Sequence, residues 1–273
     1  MFTSTNYQLL RMTILDKIIA FKKKEITKIK ADVPLKKLVE SPLFQRTPIS
    51  LKKSLLEVNS TGIIAEFKRR SPSKSIINQN SNVQDVAMGY MNAGASGMST
   101  LTNQKYFGGS LEDLLLAKSS CNLPILRKDF IIDEYQIYEA KAYGADIVLL
   151  IAAILSVDKL KYLAKKAKEL RLEVLLEVHN IDEINLYSND SVDIIGVNNR
   201  DLKTFKTSID ISKKLFPHIS NDYMKISESG ISKISSIREL KEIGYDGFLI
   251  GENFMKNENP GKMANNFINS LKI

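Results

Sequence analysis

Eight short apolar runs alternate with eight amphipathic stretches after residue 62, and this predicts an α/β fold: a (β/α)8 TIM barrel with an N-terminal helical extension. The runs start ~20–35 residues apart, the length of one strand, one helix and two turns. Glycine stands where a helix ends before a strand in Ala93-Gly-Ala-Ser-Gly97, Tyr143-Gly-Ala-Asp146 and Ile243-Gly-Tyr-Asp-Gly247. Strands separated by helices are parallel with right-handed crossovers, and eight such units close on themselves. A doubly wound open sheet is the structural alternative, disfavoured because no Gly-x-Gly-x-x-Gly turn follows the first strand.

In chain order the expected strands are Ile63–Phe67, Gly97–Leu101, Pro124–Arg127, Asp146–Ile151, Glu173–Val178, Asp193–Val197, Tyr223–Ser227 and Gly247–Ile250. Each is a short, mostly apolar run, as strands buried on both faces require. Helical periodicity fills the gaps at Val83–Ala93, Leu111–Ser119, Glu134–Tyr143, Val157–Leu170, Ile181–Tyr187, Ile209–Leu215, Ile234–Ile243 and near Met263–Leu271. Residues 1–60 do not fit the repeat. Within them, Met12–Ile29 places Ile14, Ile18, Ile19, Ile26 and Ile29 at helical spacing with a basic opposite face. This segment is expected to pack on the barrel as part of one domain spanning 1–273, with residues 1–10 disordered.

The chain has 273 residues, 44% of them hydrophobic, enough for a full core. Its net charge of +8 suits an anionic metabolite, nucleic acid or a merely lysine-rich composition. The basic clusters Lys22-Lys-Lys24 and Lys159 to Lys168 fall in helical patterns and read as solvated faces. A lone cysteine, Cys121, excludes an internal disulfide framework and suits a reducing compartment. The two histidines, His179 and His218, belong to no recognisable ligand cluster, so no metal site is expected. With no membrane-length apolar run and no visible signal peptide, a cytoplasmic protein is expected.

In such a barrel the active site lies at the carboxyl ends of the strands. Six of the eight ends carry polar groups: Glu66 and Lys68; Lys128 in Leu126-Arg-Lys-Asp-Phe130; Glu177 in Leu175-Leu-Glu-Val178; Asn198 and Arg200; Glu228; and Gly251-Glu252. Glu66 and Lys68 are two apart, so both project the same way from one strand. Glu177 sits among Val174, Leu175, Leu176 and Val178, where a carboxylate is out of place unless it faces a polar pocket. Ser229-Gly230 and Gly251-Glu252, after the seventh and eighth strands, lie where barrels commonly bind phosphate through backbone N–H groups. Convergent carboxylates and ammonium groups beside a phosphate site point to acid/base chemistry on an anionic small molecule.

Six stretches resemble, in order, the motifs of the indole-3-glycerol phosphate synthase family: Glu66-Phe-Lys-Arg-Arg-Ser-Pro-Ser73, Leu126-Arg-Lys-Asp-Phe-Ile-Ile-Asp133, Leu176-Glu-Val-His179, Gly196-Val-Asn-Asn-Arg-Asp-Leu202, Ser227-Glu-Ser-Gly-Ile231 and Phe248-Leu-Ile-Gly-Glu-Asn-Phe-Met255. The resemblance runs from about Leu10 to the end and includes the extension. It implies a cofactor-free lyase of tryptophan biosynthesis that closes the ring of 1-(2-carboxyphenylamino)-1-deoxyribulose 5-phosphate, then expels CO2 and water. By the same resemblance, Lys128 is the principal general acid, Glu177 its partner, Lys68 a substrate contact that assists proton transfer, and Glu66 a nearby base. Asn198 and Arg200 position the substrate, and Glu228 supports the site. Ser71, Ser229, Gly230, Gly251 and the backbone of Glu252 take the phosphate, while Phe107 and Phe130 face the anthranilate ring. Two positions depart from the family pattern: Asn103, where an acidic residue is usual, and Gly109, where a polar one is.

Two other readings compete. An isomerase or aldolase acting on another sugar phosphate shares the phosphate turns but leaves the Glu-x-Lys-x-x-Ser-Pro-Ser run unexplained. An RNA-binding protein accounts for the charge, yet no RNA-recognition motif occurs and aromatics do not interleave the basic runs. No nucleic-acid or membrane partner is therefore expected.

Overall fold

A computed structural model describes residues 13–201 and 204–271; the disorder expected for residues 1–10 lies outside the described residues. Eight parallel strands, β1 (Ile63–Phe67), β2 (Gly97–Leu101), β3 (Ile125–Lys128), β4 (Ile147–Ile151), β5 (Glu173–Val178), β6 (Ile194–Asn198), β7 (Met224–Glu228) and β8 (Gly247–Ile250), form a closed barrel in sequence order. Pairing of Ile64 with Leu249 joins the last strand to the first.

Three strands end one residue later than expected, and the shift matters. Lys128 pairs with Leu101, and Asn198 with Glu228, so these three polar residues belong to the ladder and not to the loops beyond it. At the opposite rim Asp146 and Asp193 precede their strands. Their carboxylates accept the backbone N–H groups of Ile125 (2.8 Å) and Val174 (2.9 Å), capping neighbouring strands instead of extending their own.

Successive side chains alternate between two cores, as the strand period of two dictates. Ile64, Leu126, Leu149, Leu175, Ile194, Ile226 and Leu249 fill the barrel. Ile63, Ala65, Phe67, Val148, Leu150, Val174 and Leu176 face outward and pack beneath the helices. Those helices begin at polar caps: Asn82 before Val83–Asn92, Ser110 before Leu111–Ser120, Asp133 before Glu134–Ala142, Ser156 before Val157–Glu169 and Asn180 before Ile181–Tyr187. Asp210–Leu215, Ile234–Ile243 and Pro260–Leu271 complete the ring. In Val157–Glu169 the residues Leu160, Leu163, Ala164 and Ala167 are buried and the lysines face outward, as expected of this basic run. No helix among the described residues is long and apolar enough to cross a membrane.

Among the described residues the extension contributes three helices, α1 (Ile14–Asp32), α2 (Leu35–Val39) and α3 (Leu51–Leu56). Thr13 and Asp16 close a capping box at the start of α1. Its buried face is Ile18, Lys22 and Ile26, which corrects the reading of Lys22-Lys-Lys24 as a solvated run. Position 22 lies four residues from both isoleucines, so helix geometry carries it inward. There its ammonium meets Asp129 at 3.0 Å and Glu25 at 2.6 Å. At the other end of the barrel, Leu51 and Leu55 of α3 join the inner core. The backbone N–H groups of Leu51 (2.8 Å) and Lys52 (3.2 Å) donate to the Glu173 carboxylate, fixing α3 as a floor.

Candidate active site

One period above the inner apolar residues, the barrel interior becomes charged. Glu66 follows Ile64, Lys128 follows Leu126, Glu177 follows Leu175 and Glu228 follows Ile226, each two positions on and therefore on the same inward face. These ends converge. Lys128 Nζ is paired with Glu228 and lies 3.3 Å from Glu177 Oε2. Lys68 Nζ lies 2.7 Å from Glu66 Oε1. Asn198 Nδ2 donates to Glu177 Oε1 at 3.0 Å, and its own Oδ1 accepts the Arg200 N–H at 3.0 Å.

Charge balance in this enclosed layer sets the protonation states. Burial pulls Lys128 toward neutrality, but the carboxylates of Glu228, Glu177 and Glu66 outweigh it and hold the ammonium firmly charged. Burial pushes Glu177 up; Lys128, His179 and Asn198 more than reverse this and keep it ionised. Glu228 is different. Burial and the neighbouring Glu177 and Glu66 charges overcome the pull of Lys128 and push its carboxyl up to about 7.

Above this layer opens a cavity of about 490 Å³. Its wall includes Glu66, Lys68, Ser71, Phe107, Lys128, Phe130, Glu177, Asn198, Arg200, Ser229, Gly230, Gly251 and Glu252, so thirteen of the fourteen residues singled out from sequence share one site. The fourteenth lies below the cavity. Glu228 is 1% exposed, lies beneath Lys128 and does not line the cavity, because as the inward residue of β7 it is covered by that lysine. Its ionic partner is Lys128.

Phe107 and Phe130 lie on one side of the cavity, ring centroids 6.1 Å apart and tilted by 41°. The phosphate-type turns follow β7 and β8 on the other, where Ser229 (φ 68°) and Gly230 (φ 73°) both have left-handed φ. Arg200 donates to the Phe205 carbonyl at 2.9 Å, and Lys74 closes over the rim to meet Glu252 at 3.2 Å.

Sequence reasoning missed several contributors. Ile14, Leu15 and Ile18 of α1 line the cavity, which makes the extension part of the site. Gly196 and Gly251 also give space: a Cβ at Gly196 collides with Glu228 Oε1, and one at Gly251 with Glu66 Oε1. Asn103 caps the short helix Gln104–Phe107, accepting the Tyr106 N–H at 3.0 Å, a task a carboxylate performs equally. At Gly109, the other departure, this backbone leaves no room for a Cβ, which collides with the Leu101 carbonyl.

The sequence model of indole-3-glycerol phosphate synthase matches residues 15–267. A curated protein of that name from Bacteroides thetaiotaomicron is 46% identical over 259 residues, 95% of this chain and 99% of the relative. One from Carboxydothermus hydrogenoformans is 41% identical over 255 residues, covering 91% and 97%, and one from Campylobacter fetus is 43% identical over 245 residues, covering 90% and 95%. Among solved structures, 3-hexulose-6-phosphate synthase from Salmonella typhimurium superposes with a TM-score of 0.59 at 14% identity over 77% of this chain and 98% of that one, a likeness of fold alone.

Proposed function

The chain belongs to the indole-3-glycerol phosphate synthase family, and on that premise we propose how its residues divide the work. The enzyme is a lyase of tryptophan biosynthesis that converts 1-(2-carboxyphenylamino)-1-deoxyribulose 5-phosphate to indole-3-glycerol phosphate by ring closure, decarboxylation and dehydration. The observation that carries the assignment of roles is the placement of Lys128 between Glu177 and Glu228 on the floor of the cavity.

The phosphate is taken by the turns at Ser229-Gly230 and Gly251-Glu252, with Ser71 closing from the loop after β1. The anthranilate ring lies against Phe107 and Phe130, under the apolar residues of α1. This sets the chain of the sugar across the charged layer, with its keto oxygen toward Lys128. Lys128 enters charged and donates its proton to that oxygen as the ring carbon attacks. Glu177, ionised and held by Asn198, stabilises the positive charge that develops at the anilino nitrogen before CO2 leaves. In the dehydration, Lys68 supplies a proton to the departing hydroxyl and Glu66, its partner, removes one from the ring. Glu228, poised near neutrality, returns a proton to Lys128. Arg200 orients the substrate from the mouth. The single free thiol, Cys121, suits a reducing cytoplasmic setting.

The test is fluorescence detection of indole-3-glycerol phosphate from the purified protein and the carboxyphenylamino substrate. Lys128→Ala is expected to lower kcat by ~10²–10⁴ with the fold intact. A variant retaining above about a tenth of wild-type kcat overturns the role given to Lys128.

A further inference from the structure

His179 directly follows β5, behind the cavity wall, and its surroundings are unusual for a residue that no step above employs. The side chain is 11% exposed and does not line the cavity. Glu183, in the first turn of the following helix, grips it twice. One carboxylate oxygen accepts the His179 backbone N–H at 2.7 Å and faces Nδ1 at 3.3 Å. The other ring nitrogen, Nε2, is buried without a hydrogen bond among the described residues and faces Glu177 Oε1 at 3.5 Å. The imidazole therefore lies between two carboxylates. Only the doubly protonated ring presents an N–H to each.

We propose that His179 is a positioning residue for Glu177: clamped by Glu183, it stands as a fixed cation behind the carboxylate and holds it ionised and aimed into the cavity. The charges acting on the ring are Glu183 from the helix that follows it, Glu177 from β5 and Glu228 from β7, with Lys128 of β3 facing it across Glu177. Burial disfavours the charged ring, yet the Glu183 hydrogen bond and the neighbouring carboxylates more than offset it and raise its pKa. Glu177 thus has a cation at each oxygen: Lys128 at Oε2 and His179 at Oε1. When Lys128 gives up its proton, one of those charges vanishes. His179 remains, so Glu177 need not take up a proton when the anilino nitrogen requires a negative neighbour.

The inference rests on Glu177 acting in the reaction, and the experiment separates the two claims. With only two histidines in the chain, an imidazole NMR titration of the His218→Gln enzyme reports His179 alone. Its midpoint is expected above that of an unperturbed histidine and to fall in Glu183→Gln. His179→Gln is expected to lower kcat about tenfold at neutral pH and to move the acid limb of the kcat profile upward by about one pH unit, with KM changed less than twofold. Glu183→Gln shifts the limb the same way, and combining the two adds little. A His179→Gln profile superimposable on wild type, or a ring that titrates below the ordinary histidine range, overturns the proposal. Full kcat in Glu177→Gln instead overturns the role of Glu177 itself.

Discussion

Lys22→Met removes the cation that ties α1 to the end of β3. In the structure the Lys22 and Asp129 side chains are 4% and 1% exposed, and the pair is 3.0 Å apart. Deleting one partner of such a pair costs ~3–5 kcal/mol when the other is left alone. Asp129 is not left alone. Thr102 Oγ1 (2.7 Å), Arg127 Nη2 (3.2 Å) and the Phe130 N–H (2.8 Å) still reach it. Burial pushes the Asp129 carboxyl up, but Lys22, Arg127 and Thr102 together hold it down at about 2 against an ordinary 3.8. That gap, already net of the burial penalty, is worth about 2 kcal/mol, and Lys22 is the strongest single group holding the carboxyl down. The expected loss is therefore ~1–2 kcal/mol at pH 7, or ~2–8 °C in Tm for a chain of this size. Because the folded carboxyl is depressed, this contribution is complete above the unfolded pKa and fades as pH falls from about 4 toward 2. A urea-unfolding cycle of Lys22→Met, Asp129→Asn and the double variant measures the coupling. Values that add within ~0.5 kcal/mol refute the reasoning. KM should rise more than kcat falls, since α1 carries Ile14, Leu15 and Ile18 in the cavity wall.

Glu177→Gln should lose ~10²-fold or more in kcat, about 2.7 kcal/mol, with little change in Tm; early melting with normal turnover would assign the residue to the scaffold. Gly251→Ala should depress kcat as well as raise KM, because the new methyl displaces the Glu66 carboxylate from Lys68, and a variant altered in KM alone argues that Glu66 is idle. Inorganic phosphate should compete with substrate in the wild-type enzyme, and absence of inhibition at high concentration counts against the Ser229-Gly230 and Gly251-Glu252 turns. Deleting residues 1–45 should leave a folded barrel, since α3 begins at Leu51, with KM raised about tenfold or more; unchanged kinetics would reduce α1 to packing.

Strands and helices were legible because each obeys a local period, two or 3.6, that survives the tertiary context. The site was legible for a related reason: Glu66, Lys128, Glu177 and Asn198 are polar residues where the inward face of a buried strand should be apolar. What escaped depends on contacts far apart in sequence. Lys22 reads as one of three consecutive lysines, and its partner Asp129 lies 107 residues away. Gly251 reads as a turn residue, although the group that demands it is the Glu66 side chain of a strand at the other end of the repeat. α3 leaves no sequence signal because six residues show barely two turns of periodicity, and only the barrel's lower opening gives Leu51 and Leu55 something to fill.

One chain segment serves both openings of the barrel, and this has a kinetic side. The floor helix α3 sits directly before β1 in sequence, but the Glu173 carboxylate that receives its first N–H groups lies 122 residues on. The roof helix α1 must wait for the end of β3, 107 residues on, before Lys22 finds its partner. Both covers therefore close long loops, and each seats only after the strands it spans have formed. A cover that loosens without disturbing the barrel gives a bulky bicyclic product a way out through the end where it was made.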